Sequence, residues 1–169
     1  MNITELFLAQ FDDEVKRTRR TLEHFPEGKD DWKPHDKSMP LGRLAGLVAG
    51  MPSWFTFIVN QDELDLNPPG GGKFEQPKLR TPAELVKALD DGAAQGRKAL
   101  EGATEEHLHK PWRLLVAGKV VSEQPRVVVM RDTFSHLAHH RAQLGVYLRL
   151  NDVTVPAVYG PSADDQQFA

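Results

Sequence analysis

The segment from Phe134 to Leu150 reads FSHLAHHRAQLGVYLRL, and it combines a helical pattern of apolar residues with three of the chain's seven histidines. Apolar side chains recur on one side of a helix drawn at about 100° per residue. They are Met130, Phe134, Leu137, Leu144 and Leu148. The pattern extends back to Pro125, and Asn151 interrupts it. We therefore predict a long helix from about Pro125 to Leu150.

Three further amphipathic segments precede this helix. The first runs from about Thr4 to His24. The second begins near Pro40 and continues to Ile58, with a bend expected at Pro52 because proline cannot donate a helical hydrogen bond. The third starts at the capping box Thr81–Glu84 and ends at Gly102. Four long amphipathic helices predict an all-α four-helix bundle.

The connections between these helices are polar or rich in proline and glycine. Residues 61–80 form the longest loop, and Pro68–Gly72 reads PPGGG. Residues 112–124 look irregular or briefly extended, and a small hairpin is possible through Ala117-Gly118-Lys119. The length of 169 residues is that of one domain, so we predict a single bundle domain over residues 1–169 with a long 61–80 loop.

Composition excludes several classes of function. The net charge of −3 and the pI of about 6.2 give no electrostatic footprint for nucleic acid or an anionic membrane. The chain has no cysteine, which removes disulfides and thiolate chemistry of its own. No apolar run approaches the roughly 20 residues of a membrane span, and the first ten residues do not resemble a secretory signal. We expect a cytoplasmic protein.

His136 and His140 are the candidate metal ligands. They stand four residues apart on the last predicted helix, so both rings lie on one face and can bind the same divalent cation. Two histidines are only half of a typical zinc site. A structural alternative is equally simple, in which the pair hydrogen-bonds to water or to Tyr147. His139 points away from the core stripe and is expected at the surface.

The larger pattern resembles the DinB/YfiT-like family. The residues that carry the resemblance are HLAHHRAQL from His136, YLRL from Tyr147, the tail VPAVYGPSAD from Val155, and the early WKPH, LGRLA and Trp54. This resemblance covers nearly the whole chain. It implies a four-helix bundle that forms a homodimer and holds a divalent metal, zinc or nickel. It also implies that the third ligand comes from the second helix.

The sequence departs from that family at the third ligand. The usual motif has the form LAxHVA, whereas this chain reads LAGLVA from Leu44, which leaves Leu47 at the ligand position. Leucine cannot coordinate a metal, so the resemblance implies at most weak binding of zinc or nickel by His136 and His140. His35, His107 and His109 are other candidates for a third ligand, although no spacing requires them.

Two functions and one structural role follow as hypotheses. The first is a DinB-like protein of unassigned activity with a degenerate metal site, which binds an unknown small molecule in a pocket between helices. The alternative is a divalent-metal-dependent enzyme, with a thiol S-transferase as the example that the resemblance supplies. In the third hypothesis the histidine face is a dimer interface.

No catalytic residue and no site for an organic cofactor can be assigned. Trp54 is expected in the core, and Arg141 is expected to pair with a buried carboxylate.

Overall fold

The computed structural model describes residues 2–71 and 78–167. Its helices are α1 (Ile3–Leu22), α2 (Leu41–Gly50), α3 (Trp54–Asn60), α4 (Pro82–Glu101), α5 (Glu105–His109) and α6 (Arg126–Leu150). Its strands are β1 (Glu63–Asp65), β2 (Pro111–Val116) and β3 (Lys119–Pro125). The helical bundle that the sequence predicts is therefore present, with a small sheet added to it.

Capping residues fix where the first and third predicted helices begin. The side chain of Asn2 accepts the N–H of Glu5 at 2.8 Å, and the Glu5 carboxylate accepts the N–H of Asn2 at 3.0 Å. Thr81 and Glu84 form the same reciprocal pair at the start of α4, as predicted. Each pair satisfies N–H groups that a helix leaves without partners at its first turn.

The second predicted helix is interrupted where proline was expected to bend it. A 3-10 turn over Met51–Ser53 joins α2 to α3, and the Ser53 hydroxyl donates to the carbonyl of Gly50 at 2.7 Å. The combined stretch Leu41–Asn60 is long and apolar enough, by length and composition, to cross a membrane, so the expectation of no such run is wrong. Half of that stretch is buried inside the bundle, as in the core helix of a globular protein.

The prediction of an all-α fold is incorrect because of a three-stranded sheet in the order β1-β2-β3. The small hairpin considered for this segment is present as the antiparallel pair of β2 and β3, and its turn residues Ala117 and Gly118 both have positive φ. Strand β1 lies inside the 61–80 loop and pairs in parallel with β2. It was missed because three residues are too few to show alternation. Within the same loop, residues 72–77 lie outside the described part of the chain.

The α2–α3 stretch runs antiparallel to α6 along its whole length. At one end the hydroxyl of Tyr147 donates to the carbonyl of Met39 at 3.2 Å. At the other end the guanidinium of Arg126 donates to the carbonyl of Ile58 at 2.9 Å. This register determines which residues of the second predicted helix lie beside the histidine pair.

Candidate functional site

His136 and His140 converge on one point at the surface of α6. Their Nε2 atoms lie 2.8 Å apart, and their ring centroids are separated by 4.6 Å. The one-turn spacing predicted from the sequence thus places both ring nitrogens together. Two imidazole nitrogens at this separation can each reach a single ion at the usual distance of about 2.0–2.1 Å.

A third α6 residue, Gln143, contacts this pair through a hydrogen bond. The Oε1 atom of Gln143 lies 2.8 Å from Nδ1 of His140 and can only accept a hydrogen bond. This contact suits the tautomer of His140 that carries its proton on Nδ1, which leaves the lone pair of Nε2 directed at His136. Tyr147, the partner considered from the sequence, instead donates to Met39. A polar partner on the second nitrogen is the usual means of orienting a metal-binding histidine.

Trp54 is part of this site, so the prediction that it lies in the core is wrong. Its side chain is half-buried, and its ring meets the ring of His136 edge to face at 86°, with centroids 6.5 Å apart. His139 is exposed, as expected, and its ring centroid lies 4.9 Å from that of His140. The pair is therefore bordered by a tryptophan on one side and a surface histidine on the other.

The surroundings favour the neutral form of His136. Its side chain remains exposed, yet the burial of part of the ring lowers its pKa from the ordinary value of 6.5. Positive charge on the neighbouring His140 and His139 rings lowers that pKa further. A lowered pKa favours the neutral imidazole, and only the neutral ring has a lone pair that can bind a metal.

A third protein ligand is missing from the described part of the chain, where no group of three histidine or acidic side chains could hold a metal ion. Leu47 on α2 is half-buried and packs against the apolar cluster that contains Leu137 and Leu144. In the sequence Leu47 stands between Met39 and Trp54, the two positions at which this stretch contacts Tyr147 and His136 of α6.

The other histidines have roles elsewhere or remain at the surface. The ring of His107 donates from Nε2 to the carbonyl of Val59 at 2.7 Å. Nδ1 of His35 accepts the N–H of Lys37 at 3.1 Å. His109 is exposed at the end of α5. The donor set that fits a metal is thus two imidazoles, which supports weak coordination with several positions open.

A buried ionic cluster lies on the core side of α6. The guanidinium of Arg141 is 2.7 Å from the carboxylate of Glu14, which confirms the prediction that Arg141 pairs with a buried carboxylate. Tyr159 accepts a hydrogen bond from Arg141 at 2.6 Å and donates to Glu14 at 3.0 Å. Sequence reasoning did not find Glu14 or this role of Tyr159, because neither is near Arg141 in the chain.

A groove of about 340 Å³ lies on the flank of α6 away from the histidines. The helix presents Ala138, Ala142 and Gly145 to it. These three residues follow His136, His140 and Gln143, respectively, by two positions. Two positions along an α-helix correspond to a rotation of about 200°, so the groove lies on nearly the opposite side of α6. This groove is therefore separate from the seam in which the sequence suggested a pocket.

Comparison with known proteins identifies solved structures that share this fold. No protein-family model and no curated protein matches the sequence. Solved structures do match it in shape, among them the following three. A DinB-like protein from Bacillus cereus has a TM-score of 0.67 at 20% identity, over 92% of this chain and 97% of its own. A DinB-like protein from Bacillus subtilis has a TM-score of 0.65 at 17% identity, over 88% and 94%.

The third match is a protein assigned to the DinB family from Exiguobacterium sibiricum. It has a TM-score of 0.63 at 18% identity, over 90% of this chain and 93% of its own. All three similarities extend over nearly the full length of both chains, so they concern the whole bundle and not a shared fragment. The fold of this chain is the DinB-like fold.

Proposed function

We propose that this DinB-like protein binds a small molecule at a degenerate site formed by His136 and His140, and that zinc or nickel joins them only weakly. The observation that carries the proposal is the 2.8 Å approach of the two Nε2 atoms. The half-buried ring of Trp54 gives a ligand an apolar surface next to these polar groups.

Weak metal binding follows from the number of ligands. Structural zinc sites use four protein ligands and catalytic sites use three, whereas this pair supplies two. A metal held by two imidazoles keeps its remaining positions for water or for an added ligand. When bound, such an ion would act as a Lewis acid toward a ligand such as a small thiol.

The proposal is tested by calorimetric titration of zinc or nickel into the full chain prepared without an affinity tag. We expect about one ion per chain with weak affinity, and loss of that binding in the His136→Ala/His140→Ala double variant. His139→Ala is the matched control and should keep the site. Binding that survives the double variant would place the metal elsewhere and overturn the metal part of the proposal.

The small-molecule part has its own measurement. The intrinsic fluorescence of Trp54 should change when cysteine or imidazole is added, and Trp54→Leu should abolish that response. Because the titration can be run with a chelator present, it distinguishes ligand binding from metal binding. A response that is the same in the Trp54→Leu variant would show that the ligand does not bind beside His136.

A metal-dependent thiol S-transferase is the second candidate, and the open coordination positions favour it. With zinc or nickel added, a small thiol would lose its proton and its sulfur would displace chloride from an electrophile such as chlorodinitrobenzene, giving a thioether, chloride and a proton. Leu47→His restores a histidine where the resemblance expects the third ligand, so it should tighten metal binding and raise any such activity. Unchanged metal affinity in this variant would show that Leu47 does not face the pair.

A further inference from the structure

The groove on the far flank of α6 has two unlike walls. One is the helix surface formed by the small residues Ala138, Ala142 and Gly145. The other is the chain after α6, with the apolar side chains of Val155, Pro156 and Val158. A Cβ added to Gly145 would meet Val155 at 3.8 Å, which is ordinary contact between the two walls. Both walls of the groove therefore present mainly apolar surface to a bound molecule.

Charge is concentrated at one end of this groove. Arg141 and Tyr159 both line it, and both belong to the buried ionic cluster. In that cluster Arg17 and Arg141 share the single carboxylate of Glu14, with N···O distances of 3.0 Å and 2.7 Å. Two positive charges therefore face one negative charge.

The other charged residue of the lining does not cancel this excess. Arg149 at the rim is paired with Asp164, so that pair is neutral as a whole. Side chains of the Arg17–Glu14–Arg141 cluster are 20% exposed or less, so water screens the excess charge only partly. A positive electrostatic potential in a cleft of low dielectric attracts an anion. The anion does not have to break the hydrogen bonds and ion pairs within the cluster.

We propose that this groove binds a small organic anion, with an apolar body against α6 and the tail and a carboxylate or sulfonate at the Arg141–Tyr159 end. A volume of about 340 Å³ lies within the range of small-molecule sites, roughly 300–1,000 Å³. The site is independent of the histidine pair, so neither proposal depends on the other.

The first test uses anilinonaphthalene sulfonate as the probe and its uncharged relative phenylnaphthylamine as the matched ligand. We expect saturable fluorescence of the sulfonate at one site per chain, and binding of the neutral compound about tenfold weaker. Equal affinity for the two compounds would overturn the charge argument, and therefore the proposal.

Two substitutions test whether the sulfonate binds in the groove and whether the excess positive charge attracts it. Ala142→Leu fills the groove from an exposed helix position and should abolish sulfonate binding, whereas Ala94→Leu on the exposed face of α4 should leave it unchanged. Arg17→Gln removes the excess charge at a residue outside the lining, which touches the groove wall through the carbonyl of Val158 and the ring of Tyr159. It should weaken the sulfonate about tenfold and leave the neutral compound unaffected.

The competing occupant of the groove is a second copy of the chain. Sedimentation of the wild type and of Ala142→Leu distinguishes the two. A monomer in both cases, or the same oligomer in both, is expected when the groove takes a small anion. If the wild type binds no sulfonate and Ala142→Leu dissociates a dimer, the groove is an interface and the proposal fails.

Discussion

The guanidinium of Arg141 on α6 lies 2.7 Å from the carboxylate of Glu14 on α1, and neither side chain is more than 4% exposed. The same guanidinium donates to the carbonyl of Glu14 at 3.2 Å and to the hydroxyl of Thr18 at 3.1 Å. Tyr159 adds the chain after α6 to this cluster. One buried ionic contact therefore joins the first helix, the last helix and the tail.

Breaking this contact should destabilise the protein strongly. Glu14→Gln keeps the shape of the side chain but leaves two guanidiniums without a counter-ion. We expect the free energy of unfolding to fall by about 3–5 kcal/mol, because an unpaired buried charge is costly. Urea denaturation followed by tryptophan fluorescence measures it. Asp91→Asn, in the exposed pair with Lys87, is the control and should leave the stability almost unchanged, because an ion pair in water contributes little.

Arg126 at the start of α6 should stabilise the protein mainly through its hydrogen bonds to backbone carbonyls, and less through its ion pair. Its side chain is 1% exposed and donates to the carbonyls of Ile58, Pro111 and Gln61. Arg126→Met should cost roughly 3 kcal/mol or more, since several buried carbonyls lose their donor.

The matched variant for Arg126 is Asp62→Ala. Asp62 is the carboxylate partner of Arg126, yet its side chain is 88% exposed. We expect a smaller loss than in Arg126→Met, because the buried guanidinium loses its counter-ion but keeps its three carbonyl acceptors. Equal losses in the two variants would show that the ion pair, and not the set of carbonyls, stabilises this end of the bundle.

Two glycines should respond in opposite ways to alanine. A Cβ on Gly96 of α4 would stand 2.4 Å from the carbonyl oxygen of Pro52 and 3.1 Å from the ring of Phe11. Gly96→Ala should therefore destabilise by about 1–3 kcal/mol, although alanine favours helix. Gly50 has helical φ and ψ and nothing within 4 Å of the added atom. Gly50→Ala should stabilise by up to about 1 kcal/mol, and calorimetric melting compares the two variants.

The helices could be predicted from the sequence because their signals are local. Thr81 and Glu84 are three residues apart, and the apolar stripe of α6 repeats every three or four residues. The geometry of His136 and His140 is local in the same sense, since one helical turn separates them. Strand β1 could not be predicted, because three residues show no period and its stability comes from β2, which lies 50 residues further along the chain.

The surroundings of the histidines depended on contacts between distant segments. The pairing of Arg141 with a carboxylate was expected from the cost of burying a guanidinium, yet only the packing of α1 against α6 identifies Glu14. Trp54 has an apolar neighbourhood in the sequence, which favoured a core position. Its place beside His136 follows from the antiparallel register of α3 and α6, which no local pattern contains.

The tail that forms one wall of the groove should detach in acid. The carboxylate of Asp164 accepts hydrogen bonds from Arg149 and from the N–H of Val155, and these lower its pKa below 3.8. Asp165 accepts the N–H groups of Ala157 and Gln167, with the same effect on its pKa. A depressed pKa means that the folded chain holds these protons less tightly than the unfolded chain. Their contribution to stability is therefore complete above about pH 4, and it is lost as the pH falls through the folded pKa values.

Hydrogen exchange at the amide of Ala157 measures this release, because that N–H donates to Asp165 at 3.0 Å. We expect protection at pH 6, loss of protection at an acidic pH below the folded pKa of Asp165, and little protection at either pH in Asp165→Asn, since a neutral amide is the weaker acceptor. Asp91→Asn on α4 is the control and should behave as the wild type. Exchange that does not change between the two pH values would show that contacts of Val158 and Tyr159 hold the tail without the two carboxylates.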